Sequence, residues 1–207
     1  MKPNWYERTL LPYLIDSACS GQRAKVVPLA HGRVLEIGIG TGLNMRHYDK
    51  ARIESLTGLD PALEMHRLAQ KRIRSAGLEV DLVGLSAERI PRADASFDTV
   101  IVTYTLCSIP DPLAALKEMR RVLVPGGQLL FCEHGRAPDA SVRRWQERIT
   151  PWWKKIAGGC HLDRDIPSLL HEAGFACPDL KTMYLPGPRP LSFNYWGIAF
   201  AGTERGK

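Results

Sequence analysis

The sequence predicts one α/β domain built on a seven-stranded, mostly parallel sheet with helices on both faces. Short apolar runs that suit buried strands alternate with helical stretches, and this alternation is typical of a parallel sheet. The length of 207 residues suits one domain, and 44% of the residues are apolar. A short connection rich in Pro and Gly joins the last two strands, so we expect the sheet to end in an antiparallel pair.

The predicted elements follow in order along the chain. An amphipathic helix over residues 4–19 opens an N-terminal unit of residues 1–25. The strands are expected at residues 33–37, 56–60, 80–83, 97–103, 128–132, 181–185 and 193–201. The helices are expected at residues 43–50, from Pro61 to near Gly77, at 112–123 and at 165–174.

Residues 139–164 interrupt this alternation as a helical insert or lid. A helical face runs along this segment, with Pro151 expected to kink or break it; its apolar members are Val142, Trp145, Ile149, Trp152 and Ile156. The segment carries six Lys or Arg and three Asp or Glu, which is half of the formal charge of +6. Three interpretations stay open: a cover over an acceptor pocket, a surface helix that packs its Trp face on the sheet, or a basic surface that lies on a membrane.

The cysteines and the charge exclude several classes of protein. Five cysteines without a C-x-x-C pair do not suit a disulfide scaffold or a zinc knuckle, so we expect reduced thiols and a cytoplasmic location. The apolar run at residues 10–15 is too short for a membrane span. No basic aromatic platform or appended nucleic-acid domain is evident, so nucleic acid is not an expected partner.

The sequence predicts a nucleoside site where Glu36-Ile37-Gly38-Ile39-Gly40-Thr41-Gly42 follows the first strand. The glycines allow a tight turn and close approach of a ligand, and a following helix would offer free N–H groups. Asp60 ends the second strand, where a carboxylate can accept both ribose hydroxyls. Leu43 departs from the dinucleotide pattern, and Glu36 would repel a pyrophosphate but hold an ammonium. These features favour S-adenosylmethionine.

At these residues the chain resembles class I S-adenosylmethionine-dependent methyltransferases, whose fold is Rossmann-like. The resemblance extends over Val34–Asn44, Leu59–Pro61, Ser86–Pro91, Phe97-Asp98 and Arg121–Gly127. It implies that the glycine loop wraps the methionine part of the cofactor and that Asp60 holds the ribose. The cofactor residues so implied are Glu36, Gly38, Ile39, Gly40, Gly42, Asn44, Asp60, Pro61, Met65, Ser86, Ala87, Glu88 and Thr103. Ser86 stands where the family usually has Asp, so the adenine contact there would lack charge.

A narrower resemblance, to the methyltransferase-like-seven group, rests on Thr105–Ile109, Phe131–His134 and Trp152–Arg164. Members of that group methylate alkyl thiols, so the resemblance implies a small apolar thiol acceptor and S-adenosylhomocysteine as product. Those relatives carry an N-terminal membrane anchor, and this sequence is expected to lack one, although peripheral membrane contact stays open. Methylation of a quinone, phenol, amine or lipid stays open too, as does a cofactor-binding scaffold without turnover.

The candidate catalytic residues follow the fourth and fifth strands, at the edge where such sheets bind ligands. His134 is the first candidate base, with Glu133 expected to orient its ring; the alternative is that both residues cap the strand. Cys107 is expected to line the acceptor pocket as a small apolar wall. His161 follows Cys160 in a turn and is a weaker candidate. Metal binding by Cys160, His161 and a distant thiol stays open, but no metal-ligand spacing supports it, so the sequence predicts no metal site.

Overall fold

The computed structural model of the chain describes residues 19–201. Its strands are β1 (Gly32–Ile37), β2 (Ile53–Leu59), β3 (Asp81–Val83), β4 (Phe97–Thr103), β5 (Leu123–His134), β6 (Phe175–Ala176), β7 (Lys181–Tyr184) and β8 (Phe193–Ala201). Its helices are α1 (residues 19–26), α2 (Leu63–Ala76), α3 (Pro112–Val122), α4 (Ala140–Ile156), α5 (Ile166–Glu172) and α6 (Arg189–Ser192). The helix predicted over residues 4–19 lies outside the described residues except for Cys19, the first described residue of α1.

Parallel pairing organises most of the sheet and confirms the predicted fold class. The strand order is β3-β2-β1-β4-β5-β8-β6, with β7 also paired to β8. The five strands from β3 to β5 in this order pair in parallel, whereas β8 pairs antiparallel to β5, β6 and β7. All seven predicted strands are present. The eighth, β6, has two residues, too few to show a hydrophobic pattern.

Alternate residues of the central strands fill two separate cores, one on each face of the sheet. Leu35, Val100 and Phe131 belong to the core that α3 and α5 cover. Val34 and Ile101 face the other way, into the core that α2 covers. This two-sided burial explains why β1, β4 and β5 read as nearly continuous apolar runs.

Several predicted boundaries were wrong. No α-helix occupies residues 43–50, where one 3-10 turn forms at Met45–His47 and a second begins at Lys50. Tertiary hydrogen bonds of the Asn44 and Tyr48 side chains hold this stretch in place instead. Helix α2 begins at Leu63, two residues after Pro61, and β5 begins at Leu123, five residues before its predicted start. Helix α4 continues through Pro151 to Ile156.

Trp145, Trp152 and Ile156 form a face of α4 that points to solvent, which excludes the interpretation in which the Trp face packs on the sheet. Trp145 is 56% exposed, Trp152 is 70% exposed and Ile156 is 58% exposed. The inward face carries Gln146, whose amide donates to the Gly135 and Pro190 carbonyls at 3.0 and 3.2 Å. Because a polar side chain makes this inward contact, no apolar pattern in the sequence indicates which face of the helix is buried. Among residues 19–201, no helix is long and apolar enough to cross a membrane.

Candidate active site

The glycine loop after β1 is tied closely to the end of β2. The amides of Gly38 and Ile39 both donate to the Leu59 carbonyl, at 2.7 and 3.3 Å. Gly38 has a φ of +69°, and a Cβ placed on it would lie 2.3 Å from the side chain of Thr105. Because these amides are used within the protein and no α-helix follows, the expected free N–H groups of a helix start are not formed here.

Asp60 lies at the carboxyl end of β2, where the sequence predicts a ribose acceptor. Its Oδ2 accepts from the Gly40 amide at 2.9 Å and its Oδ1 accepts from the Ala62 amide at 2.8 Å. Burial raises the pKa of this carboxyl above its usual value, while the two amides act in the opposite direction. A desolvated carboxylate with further lone pairs suits a pair of ribose hydroxyls.

Glu36 is the centre of a buried polar network behind the loop. Its Oε2 accepts from the Tyr48 hydroxyl at 2.6 Å, and its Oε1 accepts from the Asn44 amide at 3.1 Å. Arg23 of α1 donates to Asn44 Oδ1 at 2.7 Å and to Thr103 Oγ1 at 2.5 Å. Burial raises the pKa of Glu36 to about 7, and the Tyr48 hydrogen bond only partly opposes this.

This network fits the amino acid part of S-adenosylmethionine. A carboxylate and a guanidinium are the partners that an ammonium and a carboxylate would take. Two buried polar atoms here, Arg23 Nε and Thr41 Oγ1, have no hydrogen-bond partner within residues 19–201, which suits a site that a polar ligand completes. Arg23 and Tyr48 were not predicted, because neither belongs to a motif and only the folded chain brings them to Glu36.

The predicted adenine side is formed by the segment after β3. Ala87 is buried, and the Ser86 hydroxyl donates to the Glu88 carboxylate. The other Glu88 oxygen accepts from the Asp111 amide at 3.1 Å, which joins this segment to the start of α3. Two further residues predicted to bind the cofactor, Pro61 and Met65, are exposed and half-buried, respectively.

Glu133 is an anchor for the loop after β4 and does not orient His134. It is fully buried, and its Oε1 accepts from the amides of Thr105 and Leu106 at 2.7 and 3.0 Å. Burial raises its pKa to about 7. Tyr104, which begins this loop, has a φ of +52°, an unfavourable conformation for a bulky residue. The loop is therefore held in a strained shape by a buried carboxyl.

Two sulfur atoms and one ring nitrogen lie close together beside the anchored loop. The Sγ atoms of Cys107 and Cys160 and a ring nitrogen of His134 all lie within 4.8 Å of one another. His134 Nε2 lies 2.9 Å from Cys160 Sγ, and the Trp153 indole donates to the same sulfur at 3.2 Å. The Cys160 thiol and burial hold the pKa of Cys107 well above its usual range. We call these three residues the sulfur cluster.

An apolar wall surrounds the sulfur cluster. Leu162 and Ala157 are buried with the two thiols, and Ile149, Trp153 and Leu191 pack against them. His161, the third catalytic candidate, contributes its amide, which donates to the Cys107 carbonyl at 2.8 Å. Its ring is partly exposed and faces Asp163 at 4.0 Å, so the structure does not place it among the three ligands.

The sheet order, the glycine loop and the acid at the end of β2 define a cofactor-binding methyltransferase domain, and residues 35–131 match the family described as a methyltransferase domain. The chain is 35% identical over 159 residues to the thiol S-methyltransferase TMT1B of Rattus norvegicus, across 75% of this chain and 64% of that protein. It is 32% identical over 172 residues to the thiol S-methyltransferase TMT1A of Homo sapiens, across 78% of this chain and 69% of that protein.

The chain belongs to the class I S-adenosylmethionine-dependent methyltransferases, as the resemblance predicted, and S-adenosylmethionine is its cofactor. It spans 64% of the rat relative's length. It is also 39% identical over 133 residues to the demethylmenaquinone methyltransferase of Bacillus velezensis, across 62% of this chain and 56% of that protein. The structure of an S-adenosylmethionine-dependent methyltransferase from Methanosarcina mazei superposes with a TM-score of 0.64 at 25% identity, covering 83% of this chain and 92% of that one.

Proposed function

We propose that the chain transfers a methyl group from S-adenosylmethionine to a small apolar thiol. The observation that carries the proposal is the sulfur cluster inside its apolar wall, at the carboxyl edge of β4 and β5. Thr105 touches the glycine loop at Gly38, and Cys107 enters the cluster two residues later, so the two sites adjoin. The thiol S-methyltransferases to which the chain is similar support the same acceptor class.

The reaction needs an acceptor thiolate and a dry, aligned approach. S-adenosylmethionine, when bound, supplies a methyl group on a positively charged sulfur. A new carbon–sulfur bond forms to the acceptor while the old bond breaks and its electron pair stays on the donor sulfur, which becomes neutral. The protein has to remove the thiol proton, align the acceptor and exclude water. The apolar wall of Ile149, Trp153 and Leu191 serves the last two tasks.

The contacts of His134 weigh against its predicted role as a base that acts alone. Nε2 is already engaged with Cys160, and Nδ1 is buried without a hydrogen-bond partner in the described part of the chain. We therefore propose that the sulfur cluster as a whole, and not the imidazole alone, binds the acceptor thiol. In this proposal Cys107 belongs to that unit as well as lining the acceptor pocket, the role expected from sequence.

Transfer to a quinone carbon is the second candidate. The similarity to demethylmenaquinone methyltransferase favours it, and an apolar wall would accept a quinone ring as well as an alkyl chain. The sulfur cluster supports the thiol over the quinone, because a ring carbon gains nothing from two thiols and an imidazole at the acceptor edge.

A matched acceptor series tests the proposal. The full chain is incubated with S-adenosylmethionine and with hexanethiol, hexanol, hexylamine or a demethylated quinone, and the methylated product is measured by mass spectrometry. We expect hexanethiol to be methylated at least about 100-fold faster than its oxygen and nitrogen analogues, since a thiol ionises much closer to neutral pH than an alcohol. Turnover of the quinone without turnover of any thiol would overturn the thiol proposal. Cofactor binding without turnover of any acceptor would indicate the scaffold function.

We also propose that the exposed face of α4 docks on an anionic lipid surface. Trp145 and Trp152 stand beside cations of the same helix, with Arg148 5.9 Å from the Trp145 ring centre and Lys155 4.8 Å from that of Trp152. Aromatic rings that alternate with cations on one face complement a negatively charged interface. A cytoplasmic location stays a prediction and would place this face near an anionic leaflet. The proposed acceptor, an apolar thiol, would concentrate in a membrane because its apolar surface leaves water.

Vesicle sedimentation tests the docking face. The full chain should bind vesicles that contain phosphatidylserine and bind pure phosphatidylcholine vesicles much less, with the difference shrinking as salt is raised. Trp152→Glu should abolish the binding. Leu68→Glu, at a 39% exposed leucine of α2, is the matched control and should leave the binding unchanged. Equal binding of the two variants would refute the docking face without affecting the acceptor proposal.

A further inference from the structure

We propose that Cys107, His134 and Cys160 form a zinc-binding site. Their two Sγ atoms and a ring nitrogen lie within 4.8 Å of one another. At these distances all three atoms can bind a single ion. The three residues come from different parts of the fold: the loop after β4, the last position of β5 and the turn after α4. The inferred use of the site by an acceptor rests on the proposed function, whereas the metal site itself does not.

The donor set selects zinc. Two thiolates and an imidazole are soft to borderline ligands that suit Zn²⁺, whereas Mg²⁺ and Ca²⁺ prefer oxygen. Three protein ligands with a fourth position open are typical of catalytic zinc, and two cysteines with one histidine are a known set of this kind. Two thiolates also cancel the double positive charge, which keeps the occupied site neutral among buried apolar side chains.

The ligand positions are held by contacts outside the cluster. The Cys107 carbonyl accepts from the His161 amide at 2.8 Å, which fixes the two cysteine-bearing segments against each other. Arg164 donates to the carbonyls of Leu106 and Ile109, the latter at 2.7 Å, and so brackets Cys107 from both sides. His134 pairs with Asn194 across the ladder between β5 and β8. A site supported in this way needs little rearrangement to bind an ion.

The alternative is that the thiols are ordinary buried side chains, since cysteine packs well as a small hydrophobe. The contacts of Cys160 argue against this. The Trp153 indole can only donate a hydrogen bond, and it points at Cys160 Sγ from 3.2 Å. A hydrogen-bond donor aimed at a sulfur from outside the cluster is the kind of outer contact that is typical of metal ligands. A purely apolar packing would also have no use for an imidazole nitrogen within 4.8 Å of both sulfurs.

An occupied site would account for activation of the acceptor. A thiol that takes the open position gives up its proton to solvent and stays as a thiolate. That thiolate then forms the new carbon–sulfur bond, the donor keeps the electron pair of the bond that breaks, and a thioether remains. A thioether is a weaker ligand than a thiolate and would leave. No base is needed in this sequence, which agrees with the engaged state of His134 Nε2.

Metal binding is measured directly on the full chain after treatment with a chelator. Equilibrium dialysis against Zn²⁺ with elemental analysis should give one zinc per chain, and Co²⁺ should produce the absorption bands of thiolate ligation. Cys107→Ser and Cys160→Ser should each weaken zinc binding by about 100-fold or more, because even outer contacts of metal ligands are worth 10- to 100-fold. Cys177→Ser is the matched control, at a half-buried thiol outside the cluster, and should bind as the unaltered chain does.

Two results would overturn the site. One is an unaltered chain that takes up no zinc and shows no thiolate-to-cobalt band, a result that depends on no variant. The other is equal zinc affinity in all three cysteine variants, with cofactor binding used to verify that each is folded. Thiol methylation that persists in a zinc-free chain would leave the proposed function intact and reject the metal's part in it. Zinc binding without thiol methylation would leave the metal site intact and reject the proposed function.

Discussion

Replacing Glu36 by Gln should change how the stability of the cofactor-free protein depends on pH. The carboxyl is fully buried at the centre of the network behind the glycine loop, and burial raises its pKa from 4.5 to about 7. A carboxyl whose pKa is raised by folding favours the folded state most below its unfolded pKa. This contribution is lost as the pH rises through the folded pKa, because the folded protein then has to ionise a desolvated group.

The size of the effect follows from these two pKa values. At about 1.4 kcal/mol per pH unit, the difference between 4.5 and about 7 corresponds to about 3 kcal/mol, most of it lost between pH 5 and pH 8. Gln cannot ionise, so the free energy of unfolding of Glu36→Gln should lack this decline. Gln keeps an oxygen that can accept from Tyr48, but it loses one of the two acceptor positions of Glu36, which costs about 1 kcal/mol at every pH.

Denaturant unfolding of the cofactor-free chain at pH 5, 6, 7 and 8 measures this. The difference in stability between Glu36→Gln and the unaltered chain should shift by about 2 to 3 kcal/mol in favour of the variant across this range. Glu54→Gln, at an exposed position of β2, is the control and should follow the unaltered chain. Parallel pH curves for the unaltered chain and Glu36→Gln would refute the reasoning. Cofactor affinity should fall about 10- to 100-fold in Glu36→Gln, since a charge-assisted hydrogen bond is worth about 1.5–3 kcal/mol.

Two further predictions concern the cofactor loop. Asp60→Ala should weaken S-adenosylmethionine binding at least about tenfold by calorimetry, since it removes the ribose acceptor and the contact to the Gly40 amide; unchanged affinity would show that the ribose lies elsewhere. Gly38→Ala should lower the melting temperature and the cofactor affinity together, because its Cβ would lie 2.3 Å from Thr105 at a φ of +69°. Gly126→Ala has a similar φ of +79° with nothing within 4 Å, so it should cost only about 1 kcal/mol and leave cofactor affinity unchanged; equal effects of both alanines would exclude the steric explanation.

Local sequence patterns were sufficient to predict most strands of the sheet. The apolar runs placed β4 and β8 at their observed bounds, because strands buried on both faces need continuous apolar residues. The segment after the glycine loop was misassigned because its conformation depends on distant partners. Asn44 bonds to Glu36 and Thr103, and these contacts outweigh a helix over eight residues, which is too short to be stable alone.

The candidate site was predictable only where its residues stand in a motif. Asp60 and the glycines lie at fixed offsets from strand ends, and the structure joins them as expected. Arg23 carries no such signal, although it completes the network around Glu36. Glu133 was assigned to the wrong partner, since adjacency to His134 in sequence does not place two side chains together on a strand whose residues alternate between faces.

The sequence by itself determined the fold class, the cofactor and the chemistry available at the sheet edge, because strand burial, glycine turns and acids at strand ends are recorded in short stretches of chain. Only the tertiary structure decided which groups meet. Cys107, His134 and Cys160 are separated by 26 or more positions in sequence, and their meeting depends on how the loop after β4 and the turn after α4 pack against β5. Likewise, helical periodicity identified the tryptophan stripe of α4, but Gln146 and its buried partners decided that the other face would point inward.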